Sequence, residues 1–167
     1  LLITGGAGRV GHYAIQWAKQ YGATVISTAS SDASREQCNN AGADLVVRHP
    51  SDESVSEILD YTDGKKIDRI IEGDFGANLL PVLEVLKTGG TIATYSSMTD
   101  MNPSIPFVRM MFMDITIRMV LVYEMPQEAK AHAAKDITTM LSQNYFDNRV
   151  AKEYSLDDIA SAHTLIE

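Results

Sequence analysis

The sequence predicts an α/β protein with a doubly wound fold, a single domain in which helices cover both faces of a six-stranded parallel sheet. The first observation is that short apolar segments alternate with helical patterns along most of the 167 residues, which is typical of successive βαβ units. The second is that Gly6, Gly8 and Gly11 separate the first apolar segment from the first helical one. Glycines at this spacing are typical of a turn that approaches a nucleotide phosphate.

Six segments are predicted as strands because they are short, apolar and rich in β-branched residues. They are Leu1–Ile3, Thr24–Thr28, Leu45–Val47, Ile67–Ile71, Thr91–Tyr95 and Ile115–Val122. The last of them is the longest. Because the connections are long enough for helical crossovers, the strands are expected to run parallel.

The helices of the first half are predicted from apolar periodicity and from their end signals. The first helix begins at the glycines and ends at Tyr21. A second helix covers Asp32 to Asn40, and His49 with Pro50 stops the strand that follows it. Ser54–Glu57 offers a capping box to a third helix.

The second half is less regular. A helix is predicted over Asn78 to Lys87, and the segment from Ser96 to Asp114 is predicted as a long loop with about one helical turn. Pro126 stands where the first residue of a further helix would be. A last helix is expected to begin at Ser155 and to run to the end of the chain.

Composition excludes several classes of protein. The net charge of -8 argues against a nucleic-acid partner, since such proteins present a basic face. No apolar run approaches the roughly 20 residues of a membrane span. A single cysteine, Cys38, cannot form an internal disulfide, so a cytoplasmic location is expected. Because the chain starts at Leu1 within a strand, it is predicted to be part of a longer enzyme.

Five segments together resemble the medium-chain dehydrogenase/reductase superfamily. They are Gly6–Ala18, Ala41–Asp44, Ile67–Glu72, Leu86–Ile92 and the closing Tyr154–His163. The similarity is greatest to the zinc-independent NADPH:quinone oxidoreductase (zeta-crystallin-like) branch. It implies that residues 1–167 form the NAD(P)-binding Rossmann domain of an enzyme whose catalytic domain is absent from this chain.

The resemblance implies an activity and a cofactor. The activity is hydride transfer from NADPH to a quinone or an α,β-unsaturated carbonyl, and the cofactor is NADP(H). The small-molecule substrate would be held by the missing domain. An enoyl reductase, an alcohol dehydrogenase-like enzyme and a non-catalytic dinucleotide-binding module stay open as alternatives.

The glycine segment is the predicted pyrophosphate site. Gly6 is expected to allow a tight turn, Gly8 the approach of the pyrophosphate, and Gly11 the close packing of the helix. The free amides at the start of the helix, at Arg9 and Val10, are expected to face the anion. The Arg9 side chain is expected to add a contact.

The end of the second predicted strand decides between NADP and NAD. An acid that would hold the ribose hydroxyls is missing there, and Ser30 and Ser31 can instead donate to a 2′-phosphate. Arg35 lies shortly after them and can form a charge-assisted bond to phosphate. The resemblance implies that Ser34 or Arg35 flanks this phosphate on one side and His49 on the other. The alternative for Arg35 is a solvated helix residue.

The nicotinamide end is predicted at the carboxyl ends of later strands. By resemblance, its candidates are Phe75, Gly76, Ser96, Ser97 and Val122. The alternatives are a core aromatic for Phe75 and simple turn chemistry for the two serines.

No catalytic residue and no metal ligand is predicted. The four histidines have no metal-ligand spacing with one another or with Cys38. A homodimer is predicted through the strand Ile115 to Val122, because a long apolar strand at a sheet edge pairs readily with a second copy.

Overall fold

The computed structural model describes residues 1–49 and 51–166, which form one α/β domain with a six-stranded sheet. The strands are β1 Leu2–Ile3, β2 Ile26–Ala29, β3 Leu45–Arg48, β4 Ile67–Glu72, β5 Leu86–Thr94 and β6 Thr116–Met119. The helices are α1 Arg9–Gln20, α2 Asp32–Asn40, α3 Asp52–Tyr61, α4 Phe75–Val85, α5 Phe107–Phe112, α6 Gln127–Ser142 and α7 Ile159–Ile166. Two 3₁₀ turns cover Val122–Glu124 and Leu156–Asp158.

The sheet confirms the predicted doubly wound fold. Its order is β3-β2-β1-β4-β5-β6, and every adjacent pair of strands is parallel. The chain winds outwards from β1 to β3, returns to β4 beside β1, and then winds outwards the other way. The carboxyl ends of β1 and β4 therefore flank the point where the order reverses, which is where ligands bind in such sheets.

Apolar side chains bury both faces of the sheet. On one face, α3 and α4 contribute Ile58, Leu79 and Leu83 to a buried cluster. On the other, Ile15 of α1 and Cys38 of α2 pack with residues of β1 to β3. None of the helices formed by the described residues has the length and apolar character that crossing a membrane requires.

Several predicted boundaries are wrong. The strand β5 begins at Leu86 instead of Thr91, and the last helix begins at Ile159 instead of Ser155. The strand predicted over Ile115–Val122 is ordered only from Thr116 to Met119, because the chain turns into a 3₁₀ turn at Val122, and β5 is the longest strand. The helix α3 is capped by Ser51, whose hydroxyl accepts from the Ser54 amide, so the box lies three residues before the predicted one. The helix α4 starts at Phe75 instead of Asn78.

The end of the chain packs loosely. The last helix follows a 3₁₀ turn, and Leu156 and Ile159 remain exposed. Pro50, predicted to stop β3, and Glu167, at the predicted end of the last helix, lie outside the described residues.

Candidate functional site

The glycine loop joins β1 to α1 and is held by β2. The amide of Gly5 donates to Thr28 Oγ1 at 2.9 Å, and the amide of Gly6 donates to the Thr28 carbonyl at 3.1 Å. The tight turn falls at Gly5, which has a φ of 63°, and not at Gly6 as the spacing predicted. A side chain at Gly5 would be strained, because L-residues rarely adopt this conformation.

Gly6 and Gly11 are required for close approach. A Cβ on Gly6 would lie 1.9 Å from Ser27 Oγ. A Cβ on Gly11 would lie 2.5 Å from the Gly5 carbonyl oxygen and 2.6 Å from Gly6 Cα. The close packing predicted for Gly11 is therefore present, and it is made against the loop backbone.

The other side of the loop is open. The first hydrogen-bonded amide of α1 is that of His12, which donates to the Gly8 carbonyl at 2.9 Å, so the amides before it lack an intrahelical acceptor. The N-cap residue of α1 is Gly8, no side chain makes a capping hydrogen bond to the first amides of the helix, and the first turn carries no acidic residue. Gly8, Arg9 and Val10 are exposed. This surface fits a phosphate group of a dinucleotide, since it presents free donors and the positive end of the helix dipole.

The ends of β2 and β3 form the side of the crevice where the sequence predicts the adenosine. Ser31 caps α2, with its hydroxyl accepting from the Ser34 amide at 3.1 Å. Arg48 lies beside Ala29 in the register of the two strands. Its guanidinium donates to the Ser30 carbonyl at 3.2 Å and to the Asp32 carboxylate at 2.9 Å.

Arg48 is a candidate site residue that the sequence interpretation missed. The sequence does contain a signal for Arg48. It directly follows the apolar residues of β3, and the strands β2 and β3 end at the same edge of the sheet. The predicted residues Arg35 and His49 are half-buried and exposed, respectively. The acid nearest to the end of β2, Asp32, is held in an ion pair on the surface.

On the side where the sequence predicts the nicotinamide, hydrogen bonds join the loops after β4 and β5. The amide of Phe75 donates to the Ser96 carbonyl at 3.0 Å, and the amide of Gly76 donates to Ser97 Oγ at 2.9 Å. The side chain of Phe75 lies in the apolar core, so only its backbone borders the crevice. Val122 is exposed in the 3₁₀ turn after β6.

A second residue that the sequence interpretation missed is Glu72, which is fully buried at the end of β4. Its Oε1 accepts from Thr4 Oγ1 at 2.9 Å, from the Asp74 amide at 2.6 Å and from Asn78 Nδ2 at 2.8 Å. This carboxylate therefore joins the ends of β1 and β4 to the start of α4. Burial, and secondly the charge of Glu72, raise the pKa of Tyr95 above its usual value.

The residues do not fit a zinc ion. Within residues 1–49 and 51–166, no three His, Cys, Asp or Glu side chains come together as a metal site. Cys38 is buried, and burial raises the pKa of its thiol, which disfavours the thiolate that binds metal.

Comparison with known proteins gives the family. The sequence profile of the zinc-binding dehydrogenases matches residues 10–139. A zinc-type alcohol dehydrogenase-like protein of Staphylococcus aureus is 29% identical over 180 residues, covering 100% of this chain and 51% of the relative. A 2-haloacrylate reductase of Burkholderia is 24% identical, covering 98% of this chain and 50% of the relative. The chain thus spans about half the length of these relatives.

Solved structures share the fold. A mycobacterial quinone oxidoreductase superposes with a TM-score of 0.89 at 24% identity, over 99% of this chain and 52% of that one. The Escherichia coli quinone oxidoreductase, solved with NADPH, superposes with a TM-score of 0.84 at 22% identity, over 99% and 52%. The profile match begins at Val10 and covers the rest of α1 and the strands β2 to β6. The chain therefore belongs to the zinc-binding dehydrogenase family, within the medium-chain dehydrogenase/reductase superfamily.

Proposed function

We propose that this chain binds NADPH and forms the cofactor side of a reductase. The observation that carries the proposal is the pairing of Arg48 with Asp32 at 2.9 Å. A free carboxylate at the end of β2 would hold ribose hydroxyls and repel a 2′-phosphate. Here that carboxylate is already engaged by a guanidinium, and Ser30 and Ser31 directly precede Asp32 in the sequence.

The remaining contacts follow from the crevice. The pyrophosphate would rest on the free amides of Arg9 and Val10, with Gly8 leaving room for it. The adenosine 2′-phosphate would meet Ser30, Ser31, Arg35, Arg48 and His49. The nicotinamide would lie toward the loops that begin at Gly73 and Tyr95. The cofactor supplies the hydride, and this chain holds and orients it; none of its residues is assigned a catalytic role.

The proposed substrate is a quinone or an α,β-unsaturated carbonyl, held by a second domain of a longer enzyme. The names of the relatives support this substrate class, since they include quinone oxidoreductases and a 2-haloacrylate reductase. The second domain is supported by four exposed apolar side chains near the end of the chain, because exposed apolar side chains that cluster often mark a packing surface. They are Leu156, Ile159, Leu165 and Ile166.

A second candidate is an NAD-dependent, alcohol dehydrogenase-like enzyme. The Asp32 side chain is 89% exposed, and it would be free to bind ribose hydroxyls if Arg48 turned away. The relative from Staphylococcus aureus is named for that class.

The test is a calorimetric titration of the protein with NADPH and with NADH at one salt concentration. NADPH is expected to bind at least about 10-fold more tightly, since a hydrogen bond to a charged group is worth roughly 1.5–3 kcal/mol. Arg48→Ala frees Asp32 and should shift the preference toward NADH. Arg109→Ala breaks a comparable surface ion pair, with Glu84, and should leave the preference unchanged.

Tighter binding of NADH by the unaltered protein would favour the second candidate. Failure to bind either dinucleotide would overturn the proposed function. A preference that survives in Arg48→Ala would show that Arg48 is not the residue that selects the 2′-phosphate.

We also propose that the protein forms a homodimer through β6, which is the edge strand of the sheet. The residues around its end, Met119 to Val122, are exposed and apolar, and unprotected strand edges pair with other chains. The amide of Val120 donates to the Thr94 carbonyl at 2.8 Å. Because amides alternate in direction along a strand, those of Ile117 and Met119 point away from β5 and are free for a second copy.

A further inference from the structure

A loop that follows α6 docks on α1, more than 100 residues away in the sequence. The carbonyl of Asp147 lies 2.7 Å from His12 Nε2, and the Asp147 amide donates to Gln16 Oε1 at 2.6 Å. Phe146 stacks on Trp17 with ring centroids 5.5 Å apart. These contacts fix the backbone just before Arg149.

Arg149 is thereby carried to the glycine loop. Its guanidinium donates to the Ala7 carbonyl at 2.9 Å and to Gln37 Oε1 at 2.8 Å. Across the described residues, no carboxylate lies within ion-pair distance of it. Since a guanidinium has five N–H donors, the charge and further donors remain available, although the chain as a whole is acidic.

Arg149 lines a cavity of about 480 Å³ together with Arg9, His12 and Tyr13. His12 is only 3% exposed, and its Nδ1 is buried without a hydrogen-bond partner. A buried polar atom without a protein partner needs a water molecule or another group beside it. Arg9 and Arg149 thus place two guanidinium groups beside the start of α1, and guanidinium groups are strong partners of anions.

We propose that Arg149 is a ligand of the dinucleotide pyrophosphate, acting from the outer side of the glycine loop. This inference rests on the proposed function. Among the anionic groups of the cofactor, the pyrophosphate is the one that Arg149 would contact. In doubly wound folds the pyrophosphate rests on the glycine loop, and Arg149 donates to the Ala7 carbonyl of that loop. The 2′-phosphate would lie at the end of β2, next to Arg48. Arg149 therefore strengthens NADPH and NADH binding equally, and Arg48 distinguishes them.

A purely structural role would be a clamp between Ala7 and Gln37. Two variants separate the roles. Gln37→Ala removes one end of the clamp and leaves the guanidinium in place. Arg149→Met removes the charge and keeps most of the side-chain length. Arg109→Met is the matched control, because it makes the same change at an arginine near α4.

The experiment is calorimetric titration of each variant with NADPH and with NADH, together with its melting temperature without ligand. Arg149→Met should weaken both cofactors by about 10- to 100-fold, the range of a hydrogen bond to a charged group. The ratio of the two affinities should stay the same. Gln37→Ala and Arg109→Met should bind within about 2-fold of the unaltered protein, and Arg149→Lys, which keeps the charge, should fall between.

Unchanged binding by Arg149→Met, in a protein that binds NADPH normally, would overturn this inference and leave the proposed function standing. So would a loss confined to NADPH, which would assign Arg149 to the 2′-phosphate, or an equal loss in Gln37→Ala, which would assign it to the clamp. If the unaltered protein bound neither dinucleotide, the proposed function would fail and this inference with it. If Arg149→Met melted too early to be titrated, Arg149→Lys would decide by the same criteria.

Discussion

Replacing Gly8 by alanine should separate nucleotide binding from folding. Gly8 has a φ of -68° and a ψ of 169°, which any L-residue adopts. Its added Cβ would have one neighbour within 4 Å, the Gly5 carbonyl oxygen at 3.1 Å. A shift of a few tenths of an ångström relieves that contact, so the free energy of unfolding should change by less than about 1 kcal/mol. On the open side, the methyl group occupies the approach of the pyrophosphate, and NADPH affinity should fall at least about 10-fold, or roughly 1.4 kcal/mol.

Gly11→Ala is the matched control for this prediction. Its Cβ would lie 2.5 Å from the Gly5 carbonyl oxygen and 2.6 Å from Gly6 Cα. Both are backbone atoms of the loop, so the clash should cost about 1–3 kcal/mol of stability. The assays are urea unfolding and calorimetric titration with NADPH. The reasoning fails if Gly8→Ala binds NADPH like the unaltered protein, or if it loses as much stability as Gly11→Ala.

Two further predictions concern association and pH. Met119→Pro removes an amide that points away from β5 and should shift the protein from dimer to monomer in light scattering. Val120→Pro breaks the hydrogen bond to the Thr94 carbonyl and should instead lower the melting temperature. A native protein that is monomeric at high micromolar concentration would contradict the proposed dimer. Burial raises the pKa of Asp44, but hydrogen bonds from Lys19 and the Val25 amide lower it more, so the net pKa lies below its usual value. The stability that Asp44 contributes is then present above about pH 4 and is lost as the pH falls through the folded-state pKa. Asp44→Asn should therefore lower the free energy of unfolding by roughly 1 kcal/mol at pH 7 and by little at pH 2. An equal loss in urea unfolding at both pH values would contradict this prediction.

The sequence predicted elements best where local signals agree. The bounds of α2 were predicted exactly, because Ser31 can cap the helix and a glycine turn follows it. The strand after Ile115 was predicted too long, because apolar β-branched residues continue past Met119 while the chain leaves the sheet. The strand ends where its regular pairing with β5 ends, and amino-acid composition does not indicate where pairing ends.

The site was predicted only where it is local in the sequence. The glycine loop could be identified from spacing, although the spacing assigned the turn to Gly6 instead of Gly5. Arg149 could not be predicted, because the docking that brings it to Ala7 joins residues 142 positions apart. The buried carboxylate of Glu72 required the pairing of β1 with β4.

The most direct test of the account is a ¹⁵N NMR titration of the protein with NADPH, following the backbone amides. The account predicts saturable shifts at Arg9, Val10 and Gly11, whose amides face the proposed pyrophosphate site, with smaller shifts at Ser30 and Ser31. NADH should shift the first group and leave the second nearly unchanged. Saturable shifts that spare the start of α1, or no shifts at millimolar NADPH, would contradict the account.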